Sequence, residues 1–539
     1  MSTDEALLDR RVSHIGAGTV APGSVPGVRR EHQKFYIGIF ITALAAGFII
    51  SPAAGILFFL FATPAFFALT METAGGTLGG KLERAFYWRY RVRRGIDGYE
   101  PFDHEAWERH VKGEELLSKK AIARMRVWPD ATDGMTWLYA EPRMPAIAKH
   151  EPIGQEPYYA IAYSVEGRLR GLESDIAMDD GARAWGEFLA SMGGTLSLAK
   201  QVQTITRVLP PDMAWHEHWV RSNMAADAPD ILKRSYTELL SKCEAGALVQ
   251  RHYVVVKYPI DDNLNLQAQP FGDGEDGHRR LMHEERDAMT RALEGAHVGK
   301  VAALTARQTV AVILHMQDPA RPIEQVDDVD ENRHGLRSQD TRRSTKTIGA
   351  DGREWRHATA VITGSKLSNE PRLSLWLFDL LMGMRQPIIR TISFHCRVVP
   401  AAEARRRADR DVNAAEMEIV TSESKLKLVD KAVIQARDEA ERKRTRLAPG
   451  QRTHGVVWIA YMTVSAESAR ELNIAKRLVT EQALNGLGLE KLTWTDSRHS
   501  SAMGTTMPTA RGLRDVGSSL GGRAAAALGR ASTEGTDDE

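Results

Sequence analysis

An almost uninterrupted apolar run occupies residues 35–71 and contains no charged residue. A single helix crosses the hydrocarbon core of a bilayer with about 20 residues, so this run is too long for one span and barely long enough for two. Ser51 and Pro52 interrupt it near its middle, and proline ends a helix at or before the preceding residue. The sequence therefore predicts a tight transmembrane helical hairpin over residues 35–71, with its turn at Ser51 and Pro52.

Basic residues flank the run on both sides and predict its orientation. They are Arg29, Arg30 and Lys34 before the run, and Lys81, Arg84, Arg89, Arg91, Arg93 and Arg94 after it. Because Lys and Arg concentrate on the cytoplasmic side of a membrane, we expect a plasma-membrane protein with both termini and its soluble bulk in the cytoplasm. A cleaved signal peptide is a poor alternative, since its apolar region spans only about 7 to 15 residues. The other alternative is one long buried helix of a soluble protein.

The segments on either side of the run differ in composition. Residues 1–34 are polar, with scattered Gly and Pro, and we expect them to form a flexible cytoplasmic leader. Within residues 72–130, the stretch from Leu82 to Arg94 mixes aromatic residues with arginines. Aromatic and basic side chains both favour the headgroup level of a bilayer, so this is predicted to be a juxtamembrane segment in contact with lipid.

Short strands alternate with helices in the rest of the chain. Residues 131–316 and 351–510 each contain strand-helix-strand patterns without long parallel crossovers, which favour α+β units of the ferredoxin-like kind. Residues 317–350 are charged and poor in apolar residues, and are predicted to be a mobile loop or a domain boundary. The tail, residues 511–539, has the low-complexity composition of a disordered segment.

Residues 401–447 lack Pro and Gly and are rich in Ala, Glu, Lys and Arg, which predicts helix throughout. A straight rod of this length would reach about 70 Å. The apolar positions do not sustain a heptad repeat, which favours a protruding helical hairpin over a dimeric coiled coil. Basic clusters at the two ends are candidate partner contacts. They are Arg405, Arg406 and Arg407, and Arg442, Lys443 and Arg444.

Charge and cysteine content restrict the class of protein. A net charge of +1 and a pI near 7.9 argue against a dedicated DNA-coating protein, because non-specific nucleic-acid binding depends on accumulated Lys and Arg. Cys243 and Cys396 are far apart and lack CxxC spacing, as is usual for a protein of a reducing compartment.

The chain lacks a convincing catalytic or metal-binding motif. The nearest approach to a phosphate-binding loop is Gly75 to Lys81, and Leu82 stands where a hydroxyl residue should bind Mg²⁺. His216, Glu217 and His218 offer two imidazoles, but a closed zinc site needs four ligands. We therefore expect no catalytic residue, no cofactor and no metal.

Several motifs follow one another along the soluble part of the chain. They are Trp185-Gly-Glu-Phe-Leu-Ala, Gln201-Val-Gln-Thr-Ile-Thr-Arg-Val-Leu-Pro, Ser235-Tyr-Thr-Glu-Leu, Leu304-Thr-Ala-Arg, Leu314 to Pro319, Trp355-Arg-His-Ala-Thr, Arg390-Thr-Ile-Ser-Phe, Arg405-Arg-Arg and Met507-Pro-Thr-Ala-Arg-Gly-Leu. Their order resembles a family of actinobacterial conjugation proteins related to type IV secretion. In that family a two-helix membrane segment precedes a region similar to the amino-terminal, non-motor domain of the secretion assembly ATPase. Ala358 and Ala360 depart from the family, which commonly has bulkier aromatic residues there.

The resemblance implies a non-enzymatic, membrane-anchored scaffold at the cytoplasmic face of a conjugation channel. Its expected partners are membrane lipid, other channel subunits in an oligomeric assembly, and a separate phosphate-loop ATPase that supplies the motor. Two other functions stay open from the residues alone. One is a membrane-bound enzyme acting on lipid or cell-wall precursors through His216, Glu217 and His218, and the other is a membrane-tethered DNA-binding adaptor.

Overall fold

The computed structural model describes residues 30–513 with short gaps. The gaps are residues 71, 74–75, 154, 168–173, 195, 211–218, 221, 226, 245–247, 325, 368–375, 383, 385, 425–430, 448–453, 490 and 496. The described residues form two compact units. The smaller unit contains residues 30–97 and 406–446, and the larger unit contains residues 98–405 and 447–513. The expected leader and disordered tail lie largely outside the described residues.

The smaller unit is mainly helical. Its elements are α1 (Arg30–Ile49), α2 (Pro52–Thr70), β1 (Glu72–Thr73), β2 (Gly76–Thr77), α3 (Leu78–Arg94), most of α12 (Ala401–Ser424), and α13 (Lys431–Arg446). The α1–α2 turn is at the predicted position. The Ser51 hydroxyl accepts a hydrogen bond from the Ala54 N–H at 3.2 Å, and Pro52 occupies the first helical position, where its missing N–H costs nothing.

Helices α1 and α2 pack closely against each other. A Cβ atom on Gly55 would lie 2.6 Å from the Ala43 carbonyl oxygen and 2.9 Å from the Gly47 Cα, so the contact requires glycine. The rings of Phe40 and Phe59 meet edge to face, with centroids 6.2 Å apart. These contacts pair the start of α2 with the end of α1, as in an antiparallel hairpin.

The described residues do not confirm that both helices span a membrane. By length and composition, Pro52–Leu69 of α2 is apolar enough to do so, whereas the apolar part described for α1, Gly38–Ile49, is shorter. The first turns of α1 contain Arg30, Glu31 and Lys34, which shortens its apolar length. The helical pair is therefore a feature of the structure, and the two-span anchor stays a prediction.

The two long helices α12 and α13 begin and end at neighbouring points. The Arg405 Nε donates a hydrogen bond to the Leu447 carbonyl at 3.1 Å. Residues 405 and 447 would be far apart if the intervening chain were one straight helix, because a helix rises about 1.5 Å per residue. The two ends of the segment are therefore adjacent, as they are in a helical hairpin.

The larger unit contains the other elements. Up to residue 303 they are β3 (Gly98–Tyr99), α4 (His104–Val111), α5 (Lys119–Met125), β4 (Met135–Tyr139), β5 (Ile147–His150), β6 (Tyr158–Val165), α6 (Asp175–Ser191), β7 (Gln201–Leu209), α7 (Asp230–Glu244), β8 (Val249–Pro259), α8 (Asp262–Ala268), α9 (Gly274–Gly295) and β9 (Val301–Ala303). After it they are α10 (Ala306–Gln317), β10 (Arg337–Asp340), β11 (Thr345–Ile348), β12 (Glu354–Ile362), α11 (Phe378–Leu381), β13 (Ile389–Val399), β14 (Gly455–Ala466), α14 (Ala469–Asn485), β15 (Thr493–Trp494) and α15 (His499–Gly504).

Thirteen of the described strands form one antiparallel sheet. Their order is β3-β10-β11-β12-β14-β13-β7-β8-β6-β5-β4, with β9 also paired to β6 and β15 to β12. The predicted α+β class is thus confirmed. The two predicted α+β regions share this single sheet, because β7 pairs with β13 from Gln201↔Arg397 to Val208↔Arg390.

The sheet contains the same topology twice. In the first repeat, α6 connects β6 to β7 and α9 lies between β8 and β9, and the strand order is β7-β8-β6-β9, with α7 and α8 as additional helices. In the second repeat, α11 lies between β12 and β13 and α14 between β14 and β15, and the equivalent order is β13-β14-β12-β15, with α12 and α13 inserted between β13 and β14. The second strands of the two repeats, β7 and β13, join them.

Alternate residues of each strand face opposite sides of the sheet, and the two sides differ in chemistry. One side is apolar and packs under helices. Val202, Val256 and Ile161 form a core with α6 and α9, and Ile392 and Met462 form another with α14. The opposite side has many polar residues, and α10 with the chain after residue 499 packs against it.

Residues 317–350 differ from the expected mobile loop. They contain β10 and β11, which pair with each other, and β11 also pairs with β12. Asp340, Thr345 and Thr347 are buried although they are polar. The segment is ordered through backbone pairing and buried polar contacts, neither of which requires many apolar residues.

Candidate functional site

The apolar surface of α1 and α2 is the most unusual surface of the smaller unit. Phe48, Ile49, Ile56 and Phe61 are exposed by 68% to 84%, and other large apolar side chains of both helices are also exposed. A concentration of exposed large apolar side chains on one pair of helices marks a membrane or protein interface.

The basic residues that flank the apolar run have different surroundings. Arg29 lies outside the described residues, and Arg30 and Lys34 lie in α1 without described side chains. Arg89, Arg93 and Arg94 in α3 are exposed. Lys81 and Arg84 are half-buried, and Arg91 is buried. The flanking cations therefore differ in their exposure to solvent, which the sequence pattern alone does not indicate.

The predicted partner-contact arginines lie on α12 and α13. The side chain of Arg405 is half-buried and bonded to Leu447, as described above, so it stabilises the base of the segment. Arg442, Lys443 and Arg444 are exposed, and Arg444 pairs with Glu441 at 2.6 Å. Arg406 is exposed as well and Arg407 is half-buried, so the exposed cations of the two clusters are Arg406 on α12 and the three residues on α13.

The histidine-based enzyme site was an alternative that the sequence left open. His216, Glu217 and His218 lie outside the described residues. Among the residues that are described, no group of three or more His, Cys, Asp and Glu side chains is placed to hold a metal ion.

A buried polar network on the second side of the sheet was not predicted from the sequence. The Gln203 side-chain nitrogen donates to the Ser393 hydroxyl at 2.9 Å and to the Met507 carbonyl at 2.8 Å. Its side-chain oxygen accepts from the Ala510 N–H at 2.7 Å. Tyr158 adds a hydrogen bond from its hydroxyl to the Thr509 carbonyl at 2.6 Å. The segment 505–511 is thus held against the sheet by side chains from distant strands.

Two buried histidines belong to the same side of the sheet. His395 Nε2 lies 2.8 Å from the Thr505 carbonyl oxygen, to which it donates. His357 contacts the Ser465 hydroxyl at 2.8 Å through Nδ1 and the Thr347 hydroxyl at 2.9 Å through Nε2. Burial lowers the pKa of His357 to about 3 and that of His395 to about 4, so both rings are neutral at physiological pH.

Two fully buried arginines donate to neutral acceptors. Arg207 donates to the Thr391 hydroxyl at 2.7 Å and to the His315 carbonyl at 3.2 Å. Arg390 donates to the Leu380, Ile388 and Leu381 carbonyls, which ties α11 to β13. Burial lowers the pKa of each guanidinium to about 10, which still leaves it charged at neutral pH. Both arginines therefore act as structural cross-links.

Several motifs that carry the family resemblance build this network. Gln203 and Arg207 belong to the β7 motif, Arg390 and Ser393 to the β13 motif, and Met507 to the last motif. The local signal in β7 is the alternation Gln201-Val-Gln-Thr-Ile-Thr-Arg, which places polar side chains on one side of the strand. These motifs supply buried hydrogen bonds that maintain the fold.

Comparisons with known proteins do not identify a family. No protein-family model matches the chain, and no curated protein matches it.

Proposed function

We propose that the chain is a membrane-anchored structural subunit of a type IV secretion or conjugation-like apparatus that transfers DNA or protein. It docks a separate phosphate-loop ATPase at the cytoplasmic face of the plasma membrane. The observation that carries the proposal is the exposed apolar surface of the paired helices α1 and α2, which suits lipid and would be costly in water. The hairpin then acts as the anchor.

The larger unit has the properties of a rigid scaffold. Both repeats have the strand order of ferredoxin-like units, the class predicted from the sequence. The buried network around Gln203 attaches the chain after residue 504 to the central strands, which restricts local opening of the sheet. A continuous, internally cross-linked sheet supports a role in presenting surfaces to partners.

The helical segment α12–α13 is the proposed contact with neighbouring subunits or with the ATPase. Met417 and Val420 on α12 and Ile434 on α13 are exposed large apolar residues. The same helical segment has exposed apolar residues and the exposed basic α13 cluster, a combination that suits a partner surface with apolar and acidic groups.

The function is tested by measuring DNA transfer between cells of the native host. Deletion of the gene should reduce transfer to background, and the full chain should restore it. A chain without residues 35–71 should fail, whereas replacement of those residues by an unrelated transmembrane hairpin of equal length should restore transfer. Unchanged transfer after gene deletion would refute a role in conjugation.

A further inference from the structure

Helix α3 exposes a stripe of apolar side chains that continues from the proposed anchor. Leu82, Phe86 and Tyr90 are spaced four residues apart, on one side of the helix, and are exposed by 62%, 76% and 43%. Arg89 and Arg93 are spaced so that they share this side of the helix, and both are also exposed. This side of α3 therefore combines apolar bodies with cationic ends.

The other side of α3 faces the protein. Arg91 is buried and its Nε donates to the Ile96 carbonyl at 3.1 Å, and Arg84 is half-buried. Arg94 is exposed and stands over the Tyr90 ring at 5.3 Å from the centroid. The cations that an external ligand can reach are thus Arg89, Arg93 and Arg94.

Helix α3 begins beside the end of the apolar helix α2. A Cβ atom on Gly79 would lie 3.1 Å from the Leu69 carbonyl oxygen, so the two backbones come close there. If α2 ends at the surface of the bilayer, the first turn of α3 lies at the level of the headgroups. The exposed stripe is then continuous with the membrane-facing surface of α2.

We propose that α3 binds the surface of a bilayer that contains anionic phospholipid. Leu82, Phe86 and Tyr90 enter the boundary of the acyl chains, and Arg89, Arg93 and Arg94 contact the lipid phosphates. Charge supports this occupant, since α3 has six basic residues and one acidic residue, Glu83. The inference rests on the proposed function, because it takes the α1–α2 pair to be in a membrane.

The expected size of the effect follows from the three exposed cations. A basic residue near an anionic lipid surface changes the binding equilibrium about fivefold, so three together change it about 100-fold. Buried Arg91 should contribute little of this, because its guanidinium already has a backbone acceptor. The interaction should also weaken as salt is added.

The test uses the full chain reconstituted into vesicles of phosphatidylcholine alone or mixed with phosphatidylglycerol. A nitroxide label is attached at Phe86→Cys after both native cysteines are replaced, and its collisions with oxygen and with a water-soluble nickel chelate are measured. We expect the label to be exposed to oxygen and protected from the chelate in the mixed vesicles, and to be less protected in phosphatidylcholine. High salt should reduce the difference.

Two triple variants test whether lipid binding depends on the cations of α3 or on the total positive charge of the protein. The substitutions Arg89→Gln, Arg93→Gln and Arg94→Gln together should bring the label in mixed vesicles close to its state in phosphatidylcholine. The matched control Arg442→Gln, Lys443→Gln and Arg444→Gln removes three exposed cations from α13 and should leave the label protected.

Failure of the inference and failure of the anchor give different results. Equal chelate access in both lipids, with the chain still in the vesicles after an alkaline carbonate wash, would overturn lipid binding by α3 and leave the anchor intact. Loss of the chain from the vesicles in that wash would overturn the anchor and, with it, the inference.

Discussion

Acid should destabilise the larger unit because two buried imidazoles are neutral in the folded chain. An unfolded histidine has a pKa near 6.5, whereas burial lowers the pKa of His357 to about 3 and that of His395 to about 4. Between pH 6.5 and pH 4 the unfolded chain binds protons that the folded chain excludes. Stability from these groups is therefore complete above pH 6.5 and is lost as the pH falls.

The magnitude follows from the pKa differences. At pH 5 the pH is about 1.5 units below the pKa of an unfolded imidazole, and each unit corresponds to about 1.4 kcal/mol. Protonation of the unfolded chain therefore lowers the free energy of unfolding by about 2 kcal/mol for each histidine, or about 4 kcal/mol for both. That loss is large beside the total stability of a typical domain, about 5 to 15 kcal/mol.

The assay is urea unfolding of the full chain in detergent micelles at a series of pH values from 7 to 5. His357→Gln and His395→Gln should each lower the slope of unfolding free energy against pH by about 1.4 kcal/mol per unit near pH 5. Gln155→Leu changes an exposed side chain that does not titrate and should leave the slope unchanged. A slope that neither buried substitution changes would refute the assignment of neutral, buried imidazoles.

Three further predictions concern individual contacts. Gln203→Leu should reduce the unfolding free energy by about 3 kcal/mol in urea titrations, because it orphans buried partners, whereas exposed Gln155→Leu should have little effect. Gly55→Leu should abolish disulfide cross-linking between cysteines placed at residues 40 and 59, because the new Cβ would collide with the Ala43 carbonyl and separate the helices. Gly38→Leu is the control, since a Cβ there meets open space, and cross-linking should persist. Burial raises the pKa of Cys396 to about 12, so maleimide should modify its thiol about 1,000-fold more slowly than an ordinary thiol. Mass spectrometry measures this rate, and rapid labelling of the folded chain would contradict the prediction.

The raised pKa of Cys396 also affects tests of membrane topology. The sequence predicts that Cys243 and Cys396 are both cytoplasmic, and labelling with an impermeant maleimide tests this topology. Protection of Cys396 would reflect its burial as much as its side of the membrane. A cysteine introduced at an exposed position, such as Gln155, is the better probe.

Local signals in the sequence predicted the elements that depend on local chemistry. Ser51 and Pro52 stop one helix and start another through their own backbone and hydroxyl groups, so the turn could be located from two residues. The absence of Pro and Gly in 401–447 likewise predicted helix on both sides of the gap at 425–430. Strand alternation was sufficient for the α+β class.

The buried polar side of the sheet could not be predicted in this way. The alternation that includes Gln203 and Arg207 is equally typical of a strand with one side in water. What covers it includes the segment around Met507 and Ala510, about 300 residues later in the chain. Periodicity reports which residues share a side, but not which distant segment packs there. The same limit explains why the polar strands β10 and β11 were expected to be a loop.

The central claim, a membrane-anchored scaffold for a separate motor, is tested most directly by affinity purification of the full chain from detergent-solubilised membranes of the native cell. Mass spectrometry should identify a phosphate-loop ATPase and other channel subunits together with the chain. Recovery of these partners should fall when exposed Met417 and Val420 on α12 are changed to Ser, while the chain stays in the membrane fraction. Purification of the chain alone from the solubilised membranes would contradict the account.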